Sequence, residues 1–408
     1  MSYLDQLINE LCPDGVEYEE LRNACLPVRT ISWGNCSHQT YKYIDLTSVD
    51  RINHSIGDTQ NINKENAPSR AQQVVKENDV IFGTTRPTLK RYCSIPSEYD
   101  GHICSTGFCV IRANSSTVLP RFIYHIISTV GFQNYVELNQ KGSAYPSISN
   151  SDVLSYVIPL PPLPVQEEIV RILDKFTALE AELEAELEAR KKQYEYYSRK
   201  LIDSIPSATY MKLRELGNWY GGGTPSTQNN AFWNNGTIPW VSSKDMIGTV
   251  IHRTQDHITP EAIEGSSAKM MPANSVAVVV RSGILRHTLP IVFIPFATAI
   301  NQDIKALDAK AGISSRYVAY ALRANHDEIL NSTRKAGGTV ESLLWQSFLD
   351  YSIPVPALAE QSRIVSILDR FDALVNDITQ GLPAELAARR RQYEYYRDKL
   401  LTFKEKAS

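Results

Sequence analysis

Basic side chains recur in two segments of this chain whose residue types suit binding to a polyanion. The segment TTRPTLKRY (84–92) places arginine and lysine among threonines, directly after an apolar run. The segment RSGILRH (281–287) also follows an apolar run. A guanidinium group beside small hydroxyl side chains suits contact with a phosphate or with a guanine edge. The candidate contacts in these two segments are Thr84, Thr85, Arg86, Lys90, Arg91, Arg281, Ser282 and Arg286.

A second pair of basic segments lies further along the chain, NQKGSAYPSIS (139–149) and STRKAGGTVES (332–342). Their glycines leave backbone N–H groups free to approach a phosphate. Any one of these basic residues alone is better explained as solvated surface. The recurrence of both clusters at matched positions favours a shared binding role. The candidates here are Lys141, Ser143, Tyr145, Arg334, Lys335 and Thr339.

Motifs that would indicate catalysis are missing from the sequence. It contains no dinucleotide-binding or P-loop glycine pattern, no zinc-protease pattern and no nucleophile elbow. The run Gly221–Pro225 could cradle a phosphate, but its proline favours a loop that enters a strand. The eight histidines share no metal-ligand spacing. We therefore predict a chain that is not an enzyme and that holds no metal or cofactor.

The elements that position these segments are duplicated. IPLPPLPVQEEIVRILDKF (158–176) returns as IPVPALAEQSRIVSILDRF (353–371), with 11 of 19 positions identical. ARKKQYEYYSRKLI (189–202) returns as ARRRQYEYYRDKLL (388–401), with 9 of 14 identical. An offset of about 195 residues is domain-sized, far longer than the unit of a solenoid. The same offset relates Arg86 to Arg281.

Each half reads as a mixed α/β module followed by one long helix. Short alternating or apolar runs between turn residues predict the strands. They lie at 41–49, 79–85, 107–113, 275–280 and 291–296. Short helices are expected at 121–128 and 316–330.

The long helices carry apolar residues at steps of three and four from Gln166 onward. Thirty-seven residues would give roughly 55 Å of helix. The second copy should kink or break at Gly381 and Pro383. The two stripes most simply pair antiparallel, with Tyr194 and Tyr197 between the helices and Tyr196 left for a partner. The four-residue unit repeated in LEAELEAELEAR (179–190) would let the helix change length in fixed steps.

Composition sets further bounds. The chain has 408 residues, 43% hydrophobic content and a net charge of −3. Residues 21–157 hold 13 basic and 10 acidic groups, and residues 206–352 hold 13 and 11, so both modules lean slightly basic. All six cysteines lie in the first module without a paired spacing, which predicts reduced thiols. No apolar run could cross a membrane and the N-terminus does not resemble a signal peptide, so we expect a cytoplasmic location.

With these motifs in hand, the chain resembles the specificity (S) subunit of type I restriction–modification systems over essentially its full length. The resemblance rests on the I-P-x-P-x-L-x-x-Q-x-x-I-V-x-I-L-D pattern at 158–174 and 353–369, and on Q-Y-E-Y-Y-x-x-K-L at 193–201 and 392–400. GGGTPS (221–226) followed by IPWVSSKD (238–245) is similar to the opening of a target recognition domain, as LCPDGVEYEEL (11–21) is to the start of the family.

The resemblance implies an α+β chain with a pseudo-twofold internal repeat. Two mixed α/β target recognition domains, residues 1–157 and 206–352, would be joined by antiparallel helices in residues 158–205 and 353–408, which form a coiled-coil spacer. Each domain would read half of a split double-stranded DNA sequence, and the spacer would set the gap. Further DNA contacts implied by the family pattern are Thr224, Ser243 and Lys244.

The resemblance also implies partners. The helices would dock two modification (M) subunits, and restriction (R) subunits would join through that M₂S complex. S-adenosylmethionine, ATP and Mg²⁺ would belong to those partners. Two alternatives are a coiled-coil scaffold whose modules bind protein, and a self-contained methyltransferase or nuclease, which the missing cofactor loop disfavours.

Overall fold

A computed structural model describes residues 3–36, 39–205, 208–335, 340–376 and 381–407. The chain divides into two compact units. Unit 1 comprises Met1–Ala181 and Ala388–Ser408, and unit 2 comprises Glu182–Ala387. One helix, Leu163–Asp203, begins in unit 1 and ends in unit 2.

Within its described residues, unit 1 contains ten strands and four short helices that precede the long helix. The strands are β1 (Glu17–Glu20), β2 (Cys25–Leu26), β3 (Tyr41–Ile44), β4 (Gln60–Ile62), β5 (Ala71–Val74), β6 (Val80–Gly83), β7 (Tyr92–Ser94), β8 (Ile103–Ser105), β9 (Phe108–Ala113) and β10 (Val157–Leu160). The helices are α1 (Tyr3–Leu11), α2 (Pro120–Ser128), α3 (Val130–Asn139), α4 (Asn150–Leu154) and the long α5 (Leu163–Asp203).

Unit 2 repeats this order of elements. Its strands are β11 (Thr209–Lys212), β12 (Gly217–Gly221), β13 (Ile238–Val241), β14 (Asp256–Ile258), β15 (Met270–Met271), β16 (Ser275–Val279), β17 (Ile291–Ile294), β18 (Thr298–Ile300), β19 (Ile304–Ala309), β20 (Arg334–Lys335), β21 (Ser342–Leu343) and β22 (Ser352–Val355). Its helices are α6 (Pro260–Gly265), α7 (Ser315–Ala324), α8 (His326–Thr333), α9 (Trp345–Asp350), α10 (Leu358–Asn376) and α11 (Gly381–Leu400), the last of which belongs mostly to unit 1.

The sheets of the two units have the same topology. Unit 1 holds the four-stranded sheets β2-β9-β6-β7 and β4-β3-β8-β5, and unit 2 holds β12-β19-β16-β17 and β14-β13-β18-β15. Strands β6 and β16 are buried along their whole length, as expected for continuous apolar runs covered on both faces. The duplication read from the sequence is therefore a duplication of topology.

A buried glutamine explains one invariant letter of the repeated motif. Gln166, at the start of α5, donates to the Pro161 carbonyl (2.7 Å) and accepts from the Leu119 amide (2.9 Å). Gln361 donates to the Pro356 carbonyl (2.8 Å) and accepts from the Ser314 amide (2.8 Å). Each glutamine fastens the start of a long helix to the segment before α2 or α7, because a buried amide needs its hydrogen bonds satisfied.

A motif aspartate provides the second fastening. In unit 1 the Asp174 carboxylate accepts from Arg121 Nε and contacts His125 Nε2, both at 2.8 Å. In unit 2 the Asp369 carboxylate accepts from Arg316 Nη2 at 2.8 Å and from the Tyr320 hydroxyl. The helix is thus attached to the sheet unit by charge-assisted hydrogen bonds in both copies.

The antiparallel pairing of the helices is visible within unit 1. Phe176 of α5 stacks on Tyr396 of α11, with ring centroids 5.6 Å apart. Glu180, one turn after Phe176 in α5, accepts a hydrogen bond from Arg390 Nε at 2.6 Å. Arg390 precedes Tyr396 in α11, so the two helices run in opposite directions. Helix α5 has 41 residues, about 62 Å by its rise, slightly longer than the predicted 37. The expected α+β fold with an internal repeat is confirmed.

The predicted interruption of the second long helix is also present. The structure describes helix α10 as far as Asn376 and helix α11 from Gly381, and residues 377–380 lie outside the described part of the chain. Gly381 has a φ of +78°, and a Cβ there would lie 2.5 Å from the Ala373 carbonyl oxygen. Only glycine fits this position.

Three sequence expectations need correction or comment. The helix expected at 316–330 is two helices, α7 and α8, with a break at Asn325. Tyr194 is buried as expected, but Tyr197 is 42% exposed and does not pack in the core. All six cysteines are free thiols. In the part of the chain that the structure describes, no helix has the length and hydrophobicity needed to traverse a bilayer.

Candidate nucleic-acid interface

The two basic segments of unit 1 form one surface. The Arg86 loop (residues 84–91) leaves strand β6, and the Tyr145 loop (residues 139–149) follows helix α3. Their backbones are joined by hydrogen bonds from the Arg86 amide to the Pro146 carbonyl (2.7 Å) and from the Ile148 amide to the Thr84 carbonyl (3.0 Å). Segments some 55 residues apart in sequence therefore present their side chains together.

Cationic groups crowd this surface. Arg86 and Lys90 adopt left-handed backbone conformations (φ 47° and 54°), which are uncommon without glycine and turn both side chains outward from a tight loop. The pKa of Arg91 is lowered, first by burial and then by the positive charges of Arg51 and Arg86. In the described ranges no ion pair joins Arg86, Lys90 or Arg91 to a carboxylate. The Asp45 carboxylate opposes this effect on Arg91, but the cations outnumber it, and concentrated positive charge attracts an anion.

The other predicted residues of unit 1 divide into two groups. Lys141, Ser143 and Tyr145 are exposed, and the Arg86 guanidinium lies 4.9 Å from the centre of the Tyr145 ring. Thr85 is half-buried. The Thr84 hydroxyl is buried and donates to the Gly107 carbonyl at 2.9 Å, so Thr84 supports the loop from beneath.

Unit 2 builds its surface with the same main-chain scheme. The Arg281 loop (residues 280–288) leaves strand β16, and the Arg334 loop comprises the described residues of 332–343. The Ser282 amide donates to the Glu341 carbonyl (3.0 Å) and the Leu343 amide to the Val280 carbonyl (2.9 Å). Thr339, which was predicted to belong here, lies outside the described residues.

Two cations of the unit 2 surface, Arg281 and Arg286, are paired with acidic side chains. Arg281 Nε lies 2.6 Å from Asp303 Oδ1, and Arg286 Nε lies 3.6 Å from Glu341 Oε1. Arg334 donates to the carbonyl of Arg286 at 3.3 Å. These three arginines and Lys335 remain exposed, while the Ser282 hydroxyl accepts from the Ile284 amide and caps the short turn after it. These hydrogen bonds and ion pairs fix the positions of the arginine side chains of unit 2, in contrast to the closely spaced cations of unit 1.

Strand register corrects the matching of the arginines. Gly83 pairs with Phe108 in unit 1, and Val279 pairs with Ile304 in unit 2. Counting onward, Arg281 occupies the position of Thr85 rather than that of Arg86. The bridges Thr85–Ser147 and Arg281–Ser342 give the same result. The constant offset of 195 fails here because loops of different length precede the strands.

The glycine run of unit 2 also belongs to this surface. It follows strand β12 instead of entering a strand, which corrects the sequence expectation. A Cβ on Gly222 would lie 2.1 Å from the Ile300 carbonyl oxygen, so the loop passes directly against β18. The Thr224 hydroxyl consequently reaches Gln302 Oε1. Ser243 is half-buried and Lys244 is exposed, with its Nζ 3.6 Å from Asp256.

Sequence reasoning missed the residues that organise this surface, above all Gln302 and Asp303. Gln302 Nε2 lies 3.4 Å from Asp303 Oδ2, so hydrogen bonds link Thr224, Gln302, Asp303 and Arg281 in series. The repeat gave no signal, because unit 1 has Gly107 at the position of Asp303. Among the described residues, no three histidine, cysteine or acidic side chains are grouped as metal ligands.

Comparison with known proteins agrees with this architecture. The family model "Type I restriction modification DNA specificity domain" matches residues 36–189 and 208–388, one match in each half. The specificity subunit of the Escherichia coli type I restriction enzyme EcoR124I/EcoR124II is 38% identical over 415 aligned residues, covering 99% of this chain and 97% of the relative. A putative type I specificity subunit of Haemophilus influenzae is 30% identical, covering 69% of this chain and 72% of that protein.

Solved structures show the same arrangement. A chain from work described as the structural basis of complex assembly and conformational transition of the type I R-M system has a TM-score of 0.66 and 26% identity, covering 95% of this chain and 98% of that one. The S subunit from M. genitalium has a TM-score of 0.51 at 13% identity, covering 95% and 96%, which is a likeness of fold. The family is that of the DNA-specificity subunit, which is not itself an enzyme. This chain belongs to the type I restriction–modification DNA specificity subunits.

Proposed function

We propose that each unit reads one half of a split double-stranded DNA target through its pair of tied loops. The observation that carries this assignment is the main-chain joining, in both units, of two basic loops that are distant in sequence. The recognition domains would be residues 1–157 and 206–352, with spacer segments 158–205 and 353–408. Direct contacts would come from the exposed side chains, while Thr84 and Ser282 hold the loops in position.

The two surfaces would use different contacts. Unit 1 has closely spaced cations with few internal partners, which suits phosphate oxygens and the acceptor edge of guanine. Unit 2 holds Arg281 against Asp303 and sets it among hydroxyl and amide groups, which suits readout of a fixed pattern of donors and acceptors. Sequence specificity therefore differs between the two halves.

Alanine substitution of one arginine at a time tests this division. In a host that expresses the chain with its M partner, sequencing of methylated adenines gives the parental target. Arg86→Ala should relax the preference at one half-site and Arg281→Ala at the other, because each guanidinium contacts one half. Arg363→Ala, on the exposed face of α10 beside Glu360, is the matched control. Equal weakening on every DNA sequence would make both arginines phosphate contacts.

The long helix would set the distance between the half-sites. The LEAE repeats lie wholly within α5, so the removal of one four-residue unit shortens the helix by about 6 Å and rotates its far end by roughly 40°. Deletion of residues 183–186 should change the gap in the methylated target and leave both half-sites intact. A deletion variant that modifies the parental spacing would contradict the role of the helix.

Two similar surfaces on the helices would dock two M subunits, and R subunits would join through that complex. Tyr196 and Tyr197 form an edge-to-face pair 5.2 Å apart, with Lys200 over the first ring. Tyr395 and Tyr396 form the same pair at 5.3 Å, with Lys399 over the first ring. Exposed tyrosine beside a cation is typical of a protein interface. S-adenosylmethionine, ATP and Mg²⁺ would bind to those partner subunits.

A further inference from the structure

A cavity of about 530 Å³ opens in unit 2 beside the glycine run. Its walls include Trp233 and Trp240, and its rim includes Ser243, Lys244 and Gln302. Its deeper residues are hidden from solvent, since Trp240 and Asn301 are each only 7% exposed. The cavity is therefore an open recess whose wall includes residues that are largely buried.

Two tryptophan rings form a fixed corner in this recess. Their centroids are 5.1 Å apart and their planes are almost perpendicular, at 87°. Trp233 donates its indole N–H to the Ser226 carbonyl (3.0 Å), and Trp240 donates to the Gly223 carbonyl (3.2 Å). Because both indole donors are already used, the rings offer an incoming group only their π faces and edges. That chemistry suits a flat aromatic ring.

Polar groups beside the corner could recognise the edge of such a ring. Asn301 Oδ1 accepts from the Asp303 amide at 3.0 Å, and within the described residues no hydrogen bond engages Asn301 Nδ2. Lys244 brings an ammonium group to the rim, 3.6 Å from the Asp256 carboxylate. A carboxamide donor, a hydroxyl and an ammonium beside an aromatic wall are what recognition of a nucleobase edge requires.

The recess is continuous with the proposed DNA surface. Gln302 lines it and hydrogen-bonds towards Asp303, which holds Arg281. A DNA strand contacted by Arg281 would thus pass close to the opening. A base read in a groove presents only its edge, whereas a base turned out of the stack could place its face against the tryptophan rings.

The position in unit 1 that corresponds to Ser243 carries a larger side chain. Strand β3 ends at Ile44 and β13 at Val241, so Leu46 occupies the position of Ser243. Leu46 packs against two glycines: a Cβ built on Gly107 would come within 3.1 Å of its Cδ1, and one on Gly83 within 3.2 Å of its Cδ2. At this position unit 1 therefore has a leucine where unit 2 has a small polar side chain at the rim of the recess.

We propose that the Trp233–Trp240 recess of unit 2 receives a nucleobase rotated out of the duplex, and that unit 1 has no such site. The proposal rests on the proposed reading of DNA by unit 2 and adds how one position is recognised. Stacking on tryptophan and hydrogen bonds to the base edge offset the loss of pairing, as in other proteins that take a base out of the helix.

The first test uses free nucleotides and the full-length chain. The indole N–H resonances of the five tryptophans are followed by ¹⁵N NMR during titration with each of the four deoxynucleoside 5′-monophosphates. At least one should shift the Trp233 and Trp240 signals saturably and leave Trp33 of unit 1 unmoved. Deoxyribose 5-phosphate should have no effect. Equal shifts with the base-free sugar phosphate, or none with any nucleotide, would overturn the proposal.

The matched variant is Ser243→Leu, which copies Leu46 and should weaken nucleotide binding at least tenfold, about the loss of one base–aromatic stack. Asn301→Ala, which leaves the recess open, should weaken it less and guards against misfolding of the first variant. A second experiment uses duplexes that carry the methylation target with a single mismatch placed at each position of the unit 2 half-site in turn. The parent chain should bind more tightly when the mismatch is at one particular position. The Ser243→Leu variant should show no such gain. If the parent prefers its half-sites but a mismatch never tightens its binding, the recess proposal is wrong and the proposed function stands. If the parent shows no half-site preference at all, the proposed function is wrong.

Discussion

Units 1 and 2 share a frame of strands and helices but secure it with different side chains. In unit 1, Asp79 at the foot of β6 is buried and forms a two-pronged ion pair with Arg112 of β9, at 2.9 and 2.7 Å. By strand register, the same two positions in unit 2 are Ser275 and Asp308. Topology was retained after duplication while its polar contacts were replaced. A contact found in one half is therefore no guide to the other half.

The contrast extends to the ends of the long helices. Arg397 of α11 is 5% exposed and lies over the Tyr393 ring at 5.5 Å. Four residues beyond the equivalent Tyr194, unit 2 carries Ser198. Beside Ser198 unit 2 has a cavity of about 900 Å³, bordered by Ile291. One unit fills this region with a buried arginine, and the other leaves it open.

The largest effect is expected from breaking the ion pair found only in unit 1. Arg112→Ala leaves the buried Asp79 carboxylate without its cationic partner, although the Lys76 amide still donates to it, and should lower the free energy of unfolding of unit 1 by about 3–5 kcal/mol. Hydrogen–deuterium exchange should show faster exchange at β6 and β9 and no change at β16 and β19. Arg363→Ala, which removes an exposed i,i+3 pair with Glu360, should cost far less, because solvent screens an ion pair on the helix surface. Equal losses for the two variants would contradict a special role for the buried pair.

An intermediate effect is expected from copying the small residue of unit 2 into unit 1. Arg397→Ser removes a long side chain packed against Tyr393, so it should destabilise unit 1 by about 1–3 kcal/mol through lost packing and a new void. Thermal unfolding with exchange at α2 and α11 measures this loss. The reverse change, Ser198→Arg, has an existing cavity to enter and should cost less. A larger loss for the reverse change would show that the two regions are not equivalent.

The smallest effect is expected on the pH dependence of stability, through His125, which contacts the motif residue Asp174. Burial lowers the pKa of His125, with Arg121 and Arg397 adding to this and Asp174 opposing it, so the folded unit keeps this imidazole neutral. The unfolded chain binds a proton near pH 6.5, and stability is therefore lost as pH falls below that value, by at most about 1.4 kcal/mol per pH unit. Unit 2 has Tyr320 here, whose raised pKa keeps its hydroxyl protonated.

His125→Tyr should therefore flatten the acid dependence of unit 1 between pH 7 and pH 5. Urea unfolding at several pH values, with exchange of unit 2 amides as an internal reference, measures the slope. His54 and His102, whose pKa values burial also lowers, should leave a residual slope. A variant with the parental slope would show that His125 does not titrate on unfolding.

The sequence was sufficient for the features that repeat. Apolar runs predicted the buried strands β6 and β16. The repeated motif contains the glutamine and the aspartate in both copies, but only the structure shows that they attach each long helix. The contacts within the loops could not be predicted, because they depend on register. Arg281 aligns with Thr85 instead of Arg86 because the loops before the strands differ in length between the units. A constant offset of 195 residues does not take this difference into account. The acidic partner Asp303 could not be inferred from Gly107 in the other copy.

The main-chain bridges between the loops have a consequence for engineering new specificities. Thr85 is bridged to Ser147, and Arg281 to Ser342, so neither loop of a pair keeps its shape alone. A graft that transplants the first loop without the second would break those bridges and misdirect the arginine it was meant to move. The smallest exchangeable cassette is therefore both loops together with the strand ends that support them.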